Sequence, residues 1–349
     1  MAVFEQIEFY NISELEPMAS GGYRLQRLPA EVHNGLGIPA YRRGRRLARR
    51  LSGAELRFVV DNPFVSLTLM ALDEDTHVLV YRGDYAVARH ELKAGVATTL
   101  QLEDPPFFAA VEPESLRCGR FAPQVWRVLF HQDAQAAFLG CETFGASIRP
   151  PQRDEVPALR WLAYGSSITY GADALHATNA YVQQAARRLG VDVLNLGLPG
   201  SCLVEPVMID YLAGRDDADL ITCELGVNMA AWFGPEEFEE RVRNLLTTLA
   251  DRDPERPVAA LNIYPNRYDV FLDRSDTETV RTPEFNRIVP QVVKALARPN
   301  LHFIDGRQVL SDFDGMSADL LHPADEGHIR MGENLAELLK PYLSRKHDA

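Results

Sequence analysis

Lysine is nearly absent: of 36 basic residues only 4 are lysine, against 49 Asp and Glu, and the formal charge over 349 residues is −13. A chain short of positive charge suits nucleic acid poorly, because phosphate binding needs a basic surface. No apolar run approaches the ~18 residues needed to cross a bilayer, so no membrane association is expected. The start, with Glu5 and Glu8 among its first residues, lacks the basic and long apolar regions of a secretory signal. Cysteine is sparse too, at Cys118, Cys141, Cys202 and Cys223, with no Cys-x-x-Cys spacing. That argues against a zinc site and leads us to expect a cytoplasmic, thiol-containing protein. What is present is ordinary for a globular protein, with 46% apolar and 24% charged residues, which argues against disorder. At ~150 residues per domain the length suggests two domains.

The charge is uneven, close to neutral over residues 1–150 and strongly acidic beyond. Between the halves Pro150, Pro151 and Pro157 interrupt any helix or sheet interior, so we place a boundary between 1–151 and 152–349. The first half reads as short strands. Residues 64–69 alternate apolar and small polar side chains. Residues 78–81 and 85–88 flank the turn Arg82-Gly83-Asp84, and further strands are expected at 96–102, 125–130 and 137–140. With no long helix among them they predict an all-β, jelly-roll-like sandwich.

The second half changes period. Buried strands are expected at 159–164, 191–195, 220–225, 258–263 and 301–304. Helices are expected over 179–189, stopped by Gly190, from Pro235 onward, and over 326–343. In the helix after Pro235 the stripe Phe238, Val242, Leu245, Leu246, Leu249 keeps a 3.6-residue period. Such alternation predicts an α/β domain with a parallel sheet, whose ligands bind beyond the carboxyl ends of the strands.

Four segments at those ends carry chemistry. Tyr164-Gly165-Ser166-Ser167-Ile168 places hydroxyls at a helix start, where backbone dipoles favour developing negative charge. Asn195-Leu196-Gly197-Leu198-Pro199-Gly200 lets backbone amides approach a ligand. Gly226-Val227-Asn228 offers a side-chain amide. Asp319-Leu320-Leu321-His322-Pro323 spaces a carboxylate to orient one ring nitrogen of a histidine while the other faces a nucleophile. Together they supply the parts of serine acyl transfer.

At this point the second half resembles the SGNH (GDSL-type) hydrolase family, over residues 158–345. That family's pattern runs Gly-Asp-Ser-Leu/Ile, Asn-x-Gly-x-x-Gly, Gly-x-Asn-Asp and Asp-x-x-His-Pro. The resemblance implies a flavodoxin-like fold with a five-stranded parallel sheet. It implies Ser167 as nucleophile, His322 as base and Asp319 as its orienter, with oxyanion donors from Ser167, Gly200 and Asn228 and no metal or cofactor. Two positions depart from the pattern: Ser166 and Met229 stand where the family has Asp. The Gly-Ser-Ser-Ile-Thr form behind a β-sandwich is similar to a branch with sugar-ester deacetylases and acyltransferases. The α/β-hydrolase elbow is not matched, since Thr169 stands at its second Gly.

Other readings compete at single positions. Ser166 could be the nucleophile but fits a helix cap better. Gly197 and Gly200 could be a plain strand–helix turn, and they lack the third glycine of a dinucleotide fingerprint. Asn228 could cap a loop. His328, a rival base, is expected on a helix surface. Arg82-Gly83-Asp84 is read as a hairpin turn, not an adhesion motif. The six arginines in residues 42–50 could bind anions, although a solvated loop or strand edge paired with the acidic half is preferred. The cysteines are expected as buried small hydrophobes, with Cys202 closest to the presumed site. Tyr81, Tyr85 and Trp126 could line a sugar site but fit a core better.

The expected activity is hydrolysis of a small-molecule acyl ester, short-chain or acetyl and plausibly on a sugar. Transfer to an alcohol and non-catalytic ligand binding are the alternatives. A homo-oligomer is left open.

Overall fold

The computed structural model describes residues 2–343, which separate into two compact units. The first comprises Met1–His33 and Ala48–Ala158, the second Asn34–Leu47 and Leu159–Ala349.

The first unit contains β1 (Ala2–Phe4), β2 (Ile7–Tyr10), β3 (Glu14–Pro17), β4 (Tyr23–Gln26), β5 (Glu55–Val60), β6 (Phe64–Ala71), β7 (Thr76–Arg82), β8 (Tyr85–Leu92), β9 (Ala97–Glu103), β10 (Trp126–Phe130), β11 (Ala136–Glu142) and β12 (Ile148–Arg149). One sheet runs β1-β2-β5-β10-β7-β8 with β12 also on β5, and the other runs β3-β4-β11-β6-β9. The alternation in β9 shows why they stack. Leu100 and Leu102 turn inward, paired with Leu67 and Val65 of β6, while Thr99 and Gln101 stay exposed. These leucines join Leu56 and Phe58 of β5 and Val78 and Val80 of β7 in one apolar cluster, so the two sheets form a sandwich. The β7–β8 hairpin turns at Gly83, whose φ of +60° suits glycine. Asp84 accepts from the Phe121 amide at 3.2 Å and from Arg127 at 3.2 Å, which is a structural role. Trp126 is buried in the core.

Glu55 lies between Arg57 and Arg127, at 2.9 and 2.8 Å. Burial raises its pKa, but the two guanidiniums win and hold it down to about 2.

The basic run is not a strand edge. Its centre is a short helix. After α1 (Ala30–Gly35), α2 (Gly44–Leu47) forms, Arg45 Nε donates to the Leu36 carbonyl at 3.0 Å, and Arg50 pairs with Asp133 of the first unit.

The second unit runs β13 (Arg160–Gly165), α3 (Ser167–Tyr170), α4 (Tyr181–Leu189), β14 (Asp192–Gly197), α5 (Pro206–Ala213), β15 (Leu220–Glu224), α6 (Pro235–Arg252), β16 (Val258–Leu261), α7 (Arg267–Val270), α8 (Thr277–Leu296), β17 (Leu301–Ile304), α9 (Gly306–Val309) and α10 (Asp325–Leu343). The sheet order β14-β13-β15-β16-β17 is parallel throughout, the flavodoxin-like order the resemblance implies. Gly190 ends α4 at φ +70°, and all five residues of the α6 stripe are buried. Helix α8 was not anticipated. It carries Pro283 and Pro290 in its interior, and Phe285 stacks on Phe238 of α6 at 3.8 Å. No helix among the described residues is long and apolar enough to cross a membrane.

β14 and β15 lie on opposite sides of β13, so the winding reverses beyond the carboxyl end of β13. That switch point is where such sheets open a crevice, and it is where Ser166 and Ser167 emerge.

Candidate active site

Gly165 closes β13 at a place with no room for a side chain: a Cβ there would lie 2.2 Å from Thr169 Oγ1 and 2.7 Å from Glu224 Oε2. Ser166 caps the single turn of α3, its Oγ accepting from the Ile168 amide at 3.1 Å. Its rival reading as the nucleophile finds no support, since it is fully buried. Ser167 begins α3 and is 7% exposed.

His322 arrives from a loop more than 150 residues downstream. Its Nε2 lies 2.8 Å from Ser167 Oγ and its Nδ1 2.7 Å from Asp319 Oδ2. The other carboxylate oxygen, Asp319 Oδ1, accepts from the amides of Leu321 at 2.9 Å and His322 at 3.0 Å and from Ser317 Oγ at 2.8 Å. Partial burial pushes the Asp319 carboxyl up, but these hydrogen bonds and the imidazole prevail and hold it well below the usual range. An ionised Asp319 can only accept, so it fixes the ring proton on Nδ1 and leaves the Nε2 lone pair facing the serine. Arg267 steadies the loop from α7, donating through its amide to the Leu320 carbonyl at 2.6 Å and through Nη1 to the Asp319 carbonyl at 3.2 Å.

The three expected oxyanion donors are all free to act. The Ser167 amide, first in its helix, has no intrahelical acceptor, and among the described residues nothing accepts from the amide of Gly200 or from Asn228 Nδ2. Asn228 Oδ1 instead accepts from the Cys202 amide at 3.1 Å. That bond sets which way the side-chain amide points and ties the loop after β15 to the loop that bears Gly200. Gly200 needs its glycine: φ is +61°, and a Cβ would meet Tyr41 Oη at 3.1 Å. Asn195, fully buried, joins the β14 loop to α3 by donating to the Thr169 carbonyl at 2.8 Å and accepting from the Gly197 amide at 2.9 Å.

His328 is not on a helix surface. It is fully buried in α10, accepts from the Tyr181 amide at Nδ1 (3.3 Å) and donates from Nε2 to the Ala172 carbonyl at 2.8 Å. Burial lowers its pKa to about 4, so it is a neutral structural histidine. Cys202 is buried and its thiol is pushed well up by that burial; its S–H faces the Glu224 carbonyl at 3.6 Å. Met229, at one departure from the family pattern, is fully buried.

Four residues near the site were not assigned a role from the sequence. Glu224 closes β15 beneath the serine turn. Tyr41 and the partly exposed Trp232 bring their rings to 4.7 Å of one another, and no local pattern marks either. Asp173, at a positive φ of 67°, brings a carboxylate oxygen within 4.8 Å of ligand atoms of Asp319 and His322. A metal would find those three groups together, but both nitrogens of His322 are already engaged, one by Asp319 and one by Ser167, so the ring has no lone pair to give without breaking the serine contact.

Residues 163–330 match the model of the GDSL-like Lipase/Acylhydrolase family. This stretch is a GDSL-like lipase/acylhydrolase domain. Solved structures share the fold across the whole chain. The salicylyl-acyltransferase SsfX3 from a tetracycline biosynthetic pathway matches with a TM-score of 0.78 at 19% identity, covering 96% of this chain and 95% of its own. A putative GDSL-like lipase from Bacteroides ovatus matches at 0.68 and 19%, covering 97% and 98%. An active-site mutant of a family two carbohydrate esterase from Clostridium thermocellum matches at 0.64 and 14%, covering 97% and 98%. No curated protein sequence matches the chain. The domain match supports an acyl-transferring or ester-hydrolysing enzyme.

Proposed function

We propose that the GDSL-like domain is a serine esterase acting on a small-molecule ester with a short acyl group, such as an acetylated sugar. The observation that carries the reading is the continuous contact from Ser167 Oγ to His322 Nε2 at 2.8 Å and from His322 Nδ1 to Asp319 at 2.7 Å, beside three unpartnered N–H donors. His322 takes the proton as Ser167 attacks the ester carbonyl, and Asp319 holds the imidazole and stabilises its charged form. The amides of Ser167 and Gly200 and the Asn228 side chain receive the oxyanion. His322 then returns the proton to the departing alcohol. Water, deprotonated by the same imidazole, releases the acyl group and regenerates the serine.

The same acyl-enzyme serves a second reading, transfer to a small alcohol, which draws support from the fold shared with an acyltransferase. Product analysis by mass spectrometry, with and without a candidate alcohol, separates the two.

Labelling with a fluorophosphonate followed by peptide mapping tests the reading as a whole. Modification at Ser167, with turnover of p-nitrophenyl acetate that Ser167→Ala abolishes, is the expected result. Full turnover by Ser167→Ala would sink the mechanism, and an unlabelled, inactive protein would favour a non-catalytic ligand-binding role.

A further inference from the structure

The mechanism above makes no use of Glu224, yet this residue contacts the nucleophile turn and the loop that bears Gly200. The side chain is 1% exposed. Its Oε2 accepts from the Ser166 amide at 2.6 Å and from Thr169 Oγ1 at 3.2 Å. Thr169 Oγ1 is itself 2.8 Å from Tyr181 Oη, to which Tyr264 Oη donates at 3.2 Å. On the backbone side, the Glu224 carbonyl receives the Cys202 S–H, and the Cys202 amide holds Asn228. One residue therefore grips the nucleophile turn with its side chain and the oxyanion loops with its main chain.

Its surroundings disfavour the ionised form. The groups facing it are Ser166 and Thr169 from the nucleophile turn, Cys202 from the β14 loop, Tyr181 from α4, Tyr264 from beyond β16 and, at longer range, His322. None is a lysine or arginine, and among the described residues Oε1 is buried with no hydrogen-bond partner. Burying an ionised carboxylate this way is costly. Burial pushes its pKa up, against the pull of the Ser166 and Thr169 hydrogen bonds and of His322. With the Ser166 amide and the Thr169 hydroxyl both donating to Oε2, the carboxyl is fixed against the nucleophile turn by two hydrogen bonds.

We propose that Glu224 is the positioning residue of the nucleophile turn: by holding the Ser166 amide it aims the next amide, that of Ser167, and the Ser167 hydroxyl at the substrate carbonyl. The proposal rests on the serine-esterase reading.

Three variants of the full chain test it. Glu224→Gln keeps the shape of the side chain and an oxygen still available to the Ser166 amide. It is expected to keep kcat within about 3-fold of wild type and to leave the acid limb of the kcat/KM profile, which reports the His322 imidazole, where it was. Glu224→Ala and Glu224→Leu free the turn. They are expected to lower kcat about 10²-fold, the scale of an ångström-level misplacement, with KM little changed and Ser167 phosphonylation slowed in parallel.

A Gln variant as impaired as Ala, or an acid limb moved down by half a unit or more, would show an ionised Glu224 acting by charge and overturn the proposal. So would Ala and Leu variants that label and turn over like wild type. If both of these fail to fold, the Gln arm still decides. Wild-type protein that does not label at Ser167 would instead refute the esterase reading itself.

Discussion

Asn228 offers the sharpest test of the oxyanion geometry, because its two side-chain atoms do different work. Oδ1 accepts from the Cys202 amide at 3.1 Å and Nδ2 is unpartnered. Asn228→Ala removes both. Losing one oxyanion donor lowers kcat by roughly 10²–10³, or about 2.7–4 kcal/mol. KM should barely move, because the donor acts on the tetrahedral anion more than on the bound ester. Leaving the Cys202 amide without its acceptor costs a further ~1–3 kcal/mol of stability, a fall in Tm of about 2–4 °C per kcal/mol for a unit of this size.

Asn228→Asp separates the two roles. An aspartate oxygen still receives the Cys202 amide, so Tm should stay nearer wild type. The other oxygen replaces a donor by negative charge facing the oxyanion, so kcat should fall below that of the Ala variant. The assay is steady-state hydrolysis of p-nitrophenyl acetate beside thermal unfolding by circular dichroism. An Ala variant within about 5-fold of wild type, or an Asp variant more active than Ala, would refute the placement of Asn228 in the hole.

Two further outcomes are expected. Asp319→Asn keeps an acceptor oxygen for the Leu321 and His322 amides but offers an N–H to His322 Nδ1, which favours the wrong ring tautomer; kcat should drop by roughly 10⁴ with little change in Tm, and a loss under tenfold would argue against His322 as the base. His328 should couple the stability of the second unit to pH. Its folded pKa is lowered to about 4 from 6.5, so the unfolded chain binds the proton more readily, and the contribution is whole above pH 6.5 and lost as pH falls toward 4. The limit is about 3 kcal/mol. His328→Gln, which can both accept from Tyr181 and donate to Ala172, should flatten the decline of Tm between pH 6.5 and 5, and equal slopes in the two proteins would contradict this.

What could be read in the sequence follows from where the chemistry sits. Parallel strands put their loops directly after each apolar run, so the candidate segments at Ser167, Gly200 and Asn228 stand out by position, whereas His322 lies beyond α9 and stands out only by its Asp-x-x-His-Pro spacing. The α6 stripe was equally plain, because its apolar period and its Pro-Glu-Glu start agree. Helix α8 was hidden by Pro283 and Pro290, whose missing amides ordinarily end a helix; it is nevertheless packed along a buried face of Thr279, Thr282, Phe285, Ile288, Val289 and Val292. The burial of His328 was in principle legible, since it falls in phase with Met331, Leu335 and Leu339, all buried on one face of α10. By contrast, nothing local in Asn34–Leu47 signals that it groups with a unit whose other residues begin at Leu159. Glu224 looks like any polar strand end until its neighbours are known.

Hydrolysis and transfer share every step up to the acyl-enzyme, so the contacts among Ser167, His322 and Asp319 are silent about which one occurs. The outcome is set by competition between water and an alcohol for the same carbonyl under the same base. A held alcohol wins if its effective molarity is high, and well-oriented neighbours reach about 10⁵–10⁸ M. Discrimination therefore lies in whatever orients the second substrate beside the oxyanion donors. Tyr41 stands against Gly200, and Trp232, a few residues past Asn228, is partly exposed beside it. If these rings hold the acceptor, removing Trp232 should shift product from transfer toward hydrolysis without slowing formation of the acyl-enzyme. Trp232→Ala with an unchanged product ratio and an unchanged acylation rate would place acceptor recognition elsewhere.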